Sequence, residues 1–118
     1  MSAQILIVDD EPPARARLRD LLDDCRELFP LLIADEAANG VEAIERISEG
    51  GIDIVLTDIR MPVMDGLEVA RHVARMESPP KLIFTTAYDQ YAVQAFELNA
   101  IDYLLKPIRQ EQIGRAHV

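Results

Sequence analysis

Short apolar runs alternate with helical patterns along this chain, and the alternation limits the fold more strongly than any other feature. The runs are rich in β-branched residues and too short for helices, which is typical of strands buried on both faces of a parallel sheet. A helical pattern follows each run. Repeated βα units of this kind predict an α/β fold in which a parallel sheet carries helices on both faces. The predicted strands cover residues 5–8, 31–34, 54–56, 82–85 and 102–105.

The predicted helices are amphipathic. Pro12 and Pro13 suit the first turn of the first helix, where a missing N–H costs little, and Arg15 and Arg19 are expected to face outward. A second helix stops at Gly50-Gly51, a third covers about residues 66–77, a fourth runs through 91–98, and a fifth begins after residue 107. The residues expected to face inward are Ala14, Leu18, Leu21, Leu22 and Cys25 in the first helix, Val41, Ile44 and Ile47 in the second, and Leu67, Ala70, Val73 and Ala74 in the third.

Composition indicates one soluble domain. The chain has 118 residues, 49% of them hydrophobic and 28% charged, as is ordinary for a globular protein. No apolar run approaches the roughly 20 residues of a membrane span, and no signal-peptide pattern opens the chain. Cys25 is the only cysteine, so an intrachain disulfide is impossible and a buried free thiol is expected. These features predict a cytoplasmic protein without a membrane partner.

The net charge of −9 argues against a nucleic-acid-binding surface on this domain, because binding to a phosphate backbone is dominated by Lys and Arg. An acidic chain is compatible with a divalent cation, although many soluble domains are acidic. The charge alone therefore leaves the function open.

Polar side chains follow four of the predicted strands. Asp9 and Asp10 come after the first, Asp58 after the third, Thr86 after the fourth and Lys106 after the fifth. In a parallel α/β sheet the carboxyl ends of the strands share one edge, where ligands bind. These five side chains are therefore expected to meet there.

Three carboxylates at one point require a cation. Two like unit charges about 4 Å apart repel by about 4 kcal/mol at an effective dielectric constant of about 20, and Lys106 supplies only one positive charge. A hard divalent ion held by oxygen ligands fits, and Mg²⁺ characteristically leaves positions open for a phosphate oxygen. No His or Cys is placed to indicate zinc or a softer metal.

The pairs Asp9-Asp10, Met61-Pro62, Asp65-Gly66, Thr86-Ala87 and Lys106-Pro107, together with Asp58, carry a family resemblance. In this order, and at these strand ends, they resemble a receiver domain of a two-component response regulator. The segments 86–92, 95–97 and 102–107 are similar to the LytR/AlgR-type (LytTR) regulators. The resemblance implies a flavodoxin-like, CheY-like doubly wound sheet with strand order 2-1-3-4-5.

The resemblance also implies a phosphoryl-transfer site. Asp58 would take a phosphoryl group from the phosphohistidine of a histidine kinase. Mg²⁺ would be held by Asp10, Asp58 and the backbone carbonyl of Arg60, with Asp9 reaching it through water. Lys106 would pair with a phosphoryl oxygen. Such a domain is a signalling phosphoacceptor that catalyses its own phosphoryl transfer and slow dephosphorylation, not a conventional enzyme.

A conformational switch is the second implication. Thr86 would be drawn toward the phosphate and Tyr103 would turn inward, which shifts the packing of the fourth helix, fifth strand and fifth helix. Arg60 and Tyr88 flank the site at positions that tune hydrolysis of the phosphate. The bond between Lys106 and Pro107 is expected to be cis. A homodimer formed on activation stays an open alternative.

Three rival functions and two purely structural interpretations stand beside this one. A flavin-binding carrier would need a hydroxyl- and glycine-rich loop after the first strand, where this chain has Asp-Asp-Glu-Pro-Pro. A phosphate-ester hydrolase with an aspartyl nucleophile would need an acid two residues away and a capping insertion. A receiver-like module could bind partners without phosphorylation. Structurally, Asp9, Asp10 and Glu11 could simply favour a helix N-terminus, and Tyr103 could be a core aromatic.

The end of the chain departs from the family pattern. Residues 113–118 break the amphipathic pattern expected of a fifth helix and read like a translated sequencing adapter. We therefore predict a receiver domain over residues 1–112 and a non-native tail over 113–118, with the fifth helix truncated. A DNA-binding output domain, common in the sub-family, is not found in this sequence.

Overall fold

The computed structural model describes residues 2–86, 102–105 and 108, with positions 86 and 102–105 described through their backbone alone. Strands and helices alternate through the described part of the chain. In chain order they are β1 (Ala3–Val8), α1 (Pro12–Cys25), β2 (Leu31–Ala37), α2 (Gly40–Ser48), β3 (Ile54–Asp58), α3 (Gly66–Ala74), β4 (Lys81–Thr86) and β5 (Asp102–Leu105).

The strands form one parallel sheet in the order β2-β1-β3-β4-β5. The doubly wound topology with strand order 2-1-3-4-5 is thereby confirmed. Val8 on β1 is paired with Thr57 on β3, so the residues that follow them, Asp9 and Asp58, leave the sheet side by side. Strand pairing therefore brings the two acidic segments together.

Helices cover both faces of the sheet. On one face α2 and α3 pack over a core that includes Leu6, Val55 and Phe84. On the other face Leu18 and Cys25 of α1 belong to a second core cluster. The predicted burial of Cys25 is confirmed, and burial, with a smaller contribution from Asp24, raises the pKa of its thiol.

The buried helix faces differ in detail from the predicted ones. In α2 Val41 is exposed and Ala43 is buried, while in α3 Ala74 is exposed and Val69 is buried. Each residue turns about 100° around the helix axis, so an apolar neighbour of a buried position points well away from the core. Ala14 and Leu21 in α1 are only partly buried, since they lie at the margins of its stripe.

The first four strands are longer than the apolar runs predicted, whereas β5 has the predicted bounds. β2 continues through Asp35 and Glu36 to Ala37, which an edge strand tolerates because one side of it faces solvent. β3 includes Asp58 as its last residue. Among the described residues, no helix is both long and apolar enough to cross a bilayer. The predicted fourth and fifth helices and the Lys106-Pro107 bond lie outside the described residues.

Candidate functional site

Three carboxylates meet at the carboxyl edge of the sheet. One carboxylate oxygen from each of Asp9, Asp10 and Asp58 lies within 4.8 Å of the other two. Asp9 is fully buried and Asp58 is 9% exposed, whereas Asp10 is more open to solvent. The sequence-based expectation that these acids converge is therefore met for all three.

The turn between β1 and α1 holds Asp9 by hydrogen bonds to its backbone and its side chain. Its N–H donates to the carbonyl oxygen of Ala37 on β2 at 3.1 Å. Its Oδ1 accepts the backbone N–H of Glu11 at 3.0 Å. Its carbonyl oxygen accepts a hydrogen bond from Nη1 of Arg15 at 2.6 Å. These three contacts fix the position of Asp9, the residue that precedes Asp10 in the turn.

The start of the turn between β3 and α3 orients Asp58. Oδ1 of Asp58 accepts the backbone N–H of Ile59 at 2.8 Å. The hydroxyl of Thr57 donates to the carbonyl oxygen of Asp58 at 2.9 Å. The carboxylate is thus held at the very end of its strand, next to Asp9.

The end of the same turn is closed by Gly66, whose N–H donates to the carbonyl oxygen of Ile59 at 2.7 Å. A Cβ at position 66 would lie 2.2 Å from the carbonyl oxygen of Asp58, so only glycine permits this approach. Asp65 caps α3 by accepting the backbone N–H of Glu68 at 2.9 Å. Asp65 and Gly66 thus connect the turn directly to α3.

The donor set fits a hard divalent cation. Within the described part of the chain, Asp9, Asp10 and Asp58 form the one group of three or more acidic, His or Cys residues that could hold a metal ion. All three offer carboxylate oxygens, which Mg²⁺ and Ca²⁺ prefer as ligands. The cluster could therefore bind such an ion.

Other predicted site residues are placed only through the backbone or lie outside the described residues. Thr86 ends β4 beside Leu105, and Tyr103 lies on β5 beside Phe84. Lys106 and Tyr88 are outside the described part of the chain. The exposed Arg60 comes two residues after Asp58. The roles of these residues stay predictions.

Thr85 precedes the predicted site residue Thr86 on β4. It is fully buried beside Asp58 in the strand register. Its hydroxyl lacks a hydrogen-bond partner among the described residues.

Arg15 and Glu36 were missed by the sequence reasoning. Arg15 does not face solvent freely as expected: its side chain is 20% exposed, and its Nε lies 3.3 Å from Oε1 of Glu36 on β2. An arginine in the first turn of the helix after an acidic pair was the available signal. Its partner could not be assigned because β2 was predicted to end before residue 36.

Comparisons with known proteins agree with this geometry. The model of the response regulator receiver domain family matches residues 5–117. The positive alginate biosynthesis regulatory protein of Pseudomonas aeruginosa is 49% identical over 115 residues, which is 95% of this chain and 44% of that protein. The sensory transduction protein LytR of Staphylococcus haemolyticus is 44% identical over 111 residues, which is 94% of this chain and 42% of that protein.

A solved structure shares the fold. The response regulatory domain of protein mrkE from Klebsiella pneumoniae superimposes with a TM-score of 0.86 at 29% identity, covering 96% of this chain and 90% of that one. The chain spans less than half the length of the curated relatives named above. By its family match and these relatives, the chain belongs to the response regulator receiver domain family of two-component systems, among regulators of the LytR/AlgR type.

Proposed function

We propose that this receiver domain accepts a phosphoryl group on Asp58 from a histidine kinase and that the modification switches the face formed by the fourth helix, β5 and the fifth helix. The observation that carries the proposal is the meeting of Asp9, Asp10 and Asp58 oxygens within 4.8 Å at the end of adjacent strands. Membership of the receiver family supports it independently. The switch would control transcription through an output domain that binds DNA, as the family of LytR-type regulators suggests.

The transfer converts a carboxylate into an acyl phosphate. An oxygen of Asp58 attacks the phosphorus atom, the new O–P bond forms, and the P–N bond of the kinase phosphohistidine breaks with its electron pair returning to the imidazole. The N–H of Ile59 on Oδ1 fixes the rotation of the Asp58 carboxylate and so prepares its direction of attack. Lys106 pairs with a phosphoryl oxygen.

The acidic cluster would hold Mg²⁺ through Asp10, Asp58 and the Arg60 carbonyl, with Asp9 reaching it through water. When bound, the ion supplies the positive charge that lets an anionic phosphoryl group approach anionic carboxylates. Asp9 is fully buried and held by neighbouring backbone groups, so it keeps its position beside Asp58 while the phosphoryl group arrives.

The switch begins at β4. The backbone of Thr86 is paired with β5, so a displacement of Thr86 toward the phosphate is transmitted to the strand that carries Tyr103. Tyr103 then turns inward, and the balance between two packings shifts. Arg60 and Tyr88 set the rate of hydrolysis by obstructing the attacking water. Residues 1–112 form the receiver in this proposal.

Phosphorylation by a small donor tests the proposal. The native chain and Asp58→Asn are incubated with acetyl phosphate, each with and without Mg²⁺, and intact masses are measured. We expect one phosphoryl adduct in the native chain that depends on Mg²⁺ and none in the variant. An adduct of equal yield in Asp58→Asn, or no adduct in the native chain at any Mg²⁺ concentration, contradicts the proposal.

A further inference from the structure

Arg15 links three elements at the carboxyl edge of the sheet. It lies on α1, its Nη1 donates to the carbonyl oxygen of Asp9 at 2.6 Å, and its Nε lies 3.3 Å from Oε1 of Glu36. Glu36 in turn accepts a hydrogen bond from Nε of Arg19 at 2.8 Å. One guanidinium therefore joins the first helix, the turn that carries the acidic pair, and the edge strand β2.

The carbonyl that Arg15 contacts belongs to the peptide group between Asp9 and Asp10. A peptide group is planar, so a hydrogen bond that fixes its oxygen also fixes the direction in which the chain continues into Asp10. Glu36 also holds the guanidinium, since its Oε1 is ion-paired with Arg15 while its Oε2 accepts a hydrogen bond from Arg19. Arg15 thus acts on the placement of Asp10, although it does not contact the carboxylate cluster itself through any of these bonds.

We propose that Arg15 is a positioning residue for the metal site: by holding the Asp9–Asp10 peptide, it keeps the Asp10 carboxylate oriented for Mg²⁺. This inference rests on the proposed function, because it assumes that the acidic cluster binds Mg²⁺. Removing groups that hold metal ligands in place typically weakens metal binding by about 10- to 100-fold.

The charge of Arg15 makes the sign of the effect informative. A guanidinium near a cation site repels the cation, so loss of the charge alone would strengthen Mg²⁺ binding. Loss of the hydrogen bond to the Asp9 carbonyl would weaken it. A measured weakening therefore cannot come from the removed charge and identifies the positioning role.

The test is calorimetric titration of Mg²⁺ into the unphosphorylated chain, with folding checked by circular dichroism. We expect Arg15→Met to bind Mg²⁺ about tenfold more weakly than the native chain, and Glu36→Gln to fall between them. Acetyl phosphate with saturating Mg²⁺ should still produce the Asp58 adduct in Arg15→Met, because the nucleophile is unchanged.

Arg46 offers a matched control. Its Nε lies 3.4 Å from Oδ2 of Asp35, the β2 residue next to Glu36, and its Nη1 donates to the carbonyl of Gly50 at 3.0 Å, away from the acidic cluster. Arg46→Met also removes an arginine that bridges a β2 carboxylate and a backbone carbonyl. Its Mg²⁺ affinity should equal that of the native chain, and a tenfold loss there would overturn the specific role of Arg15.

Two further outcomes are decisive. If the native chain binds Mg²⁺ and Arg15→Met binds it as tightly or more tightly, the positioning role is overturned while the proposed function stands. If the native chain binds no Mg²⁺, the proposed function fails and this inference fails with it.

Should Arg15→Met not fold, Arg15→Lys decides: it keeps the charge but cannot bridge Asp9 and Glu36 with two separate nitrogens. Undiminished Mg²⁺ affinity in Arg15→Lys then overturns the role.

Discussion

The turns after β1 and β3 bring carboxylates to the same point but are built in different ways. The first is short, with Glu11 and the start of α1 following Asp10 directly. Two side chains hold it: Arg15 donates a hydrogen bond to the carbonyl oxygen of Asp9, and the Asp9 carboxylate accepts the N–H of Glu11. The second is longer. The side chains of Asp58 and Asp65 accept N–H groups at its two ends, but between them the backbone shapes the turn: Gly66 packs against Asp58, and Val63 lies in the left-handed region with φ of 71°.

The difference separates two ways in which a mutation can damage the site. Contacts made by side chains orient a ligand without filling the core, so their loss should change metal affinity more than folding. Backbone packing leaves no room for added atoms, so substitutions in the second turn should change folding first.

Gly66→Ala should have the largest effect on stability. The added Cβ would lie 2.2 Å from the carbonyl oxygen of Asp58 and 2.9 Å from the Cα of Ile59, both backbone atoms that cannot rotate away. Overpacking of this kind typically costs 1–3 kcal/mol, and the short backbone contacts place this substitution at the upper end. We expect the free energy of unfolding, measured in urea, to fall by about 3 kcal/mol.

Gly50→Ala is the control for that prediction. Unlike Gly66, Gly50 has a positive φ, 87°, and a Cβ there would meet no atom within 4 Å. Its cost should come from the left-handed backbone alone, about 1–2 kcal/mol. Equal losses in the two variants would show that packing against Asp58 is not what restricts position 66.

Mg²⁺ should stabilise the native chain by joining the two turns. At a free concentration about 100 times the dissociation constant, a ligand that binds only the folded state adds about 2.7 kcal/mol to the free energy of unfolding. We expect a gain of this size in urea unfolding with Mg²⁺, and a clearly smaller one in Asp58→Asn, which keeps the first turn but removes the carboxylate of the second. Without Mg²⁺, Asp58→Asn should be more stable than the native chain because repulsion within the cluster is relieved.

Asp20→Asn removes an exposed carboxylate of α1 that is not among the three acids of the cluster. Its gain with Mg²⁺ should match that of the native chain. If Asp58→Asn and Asp20→Asn respond to Mg²⁺ identically, the cation does not bridge the two turns.

The same two turns show what could be predicted from the sequence and what could not. The convergence of Asp9, Asp10 and Asp58 followed from their positions after short apolar runs, because parallel strands end at one edge. The strand order came from the family resemblance, since periodicity alone does not order strands. The prediction that Val41 and Ala74 face inward was wrong, because α2 and α3 contain more apolar residues than buried positions. The contact between Arg15 and Glu36 could not be predicted, because it joins residues brought together only by the pairing of β1 with β2.

The smallest predicted effect concerns Val63, the one non-glycine residue with positive φ in the described part of the chain. A β-branched residue in the left-handed region is strained, and Val63 is 81% exposed, so burial of its side chain contributes little in return. Val63→Asn should therefore raise the free energy of unfolding, measured by urea denaturation, by about 0.5–1 kcal/mol, because Asn tolerates the left-handed region better than Val does. The control is Val41→Asn, also at an exposed valine but within α2. It should lower the free energy of unfolding slightly, because an Asn side chain inside a helix competes with the backbone for hydrogen bonds. A loss of stability in Val63→Asn would mean that the valine side chain holds the turn by contacts stronger than the strain. The second turn would then depend on side chains as the first one does, and the contrast between the two turns would disappear.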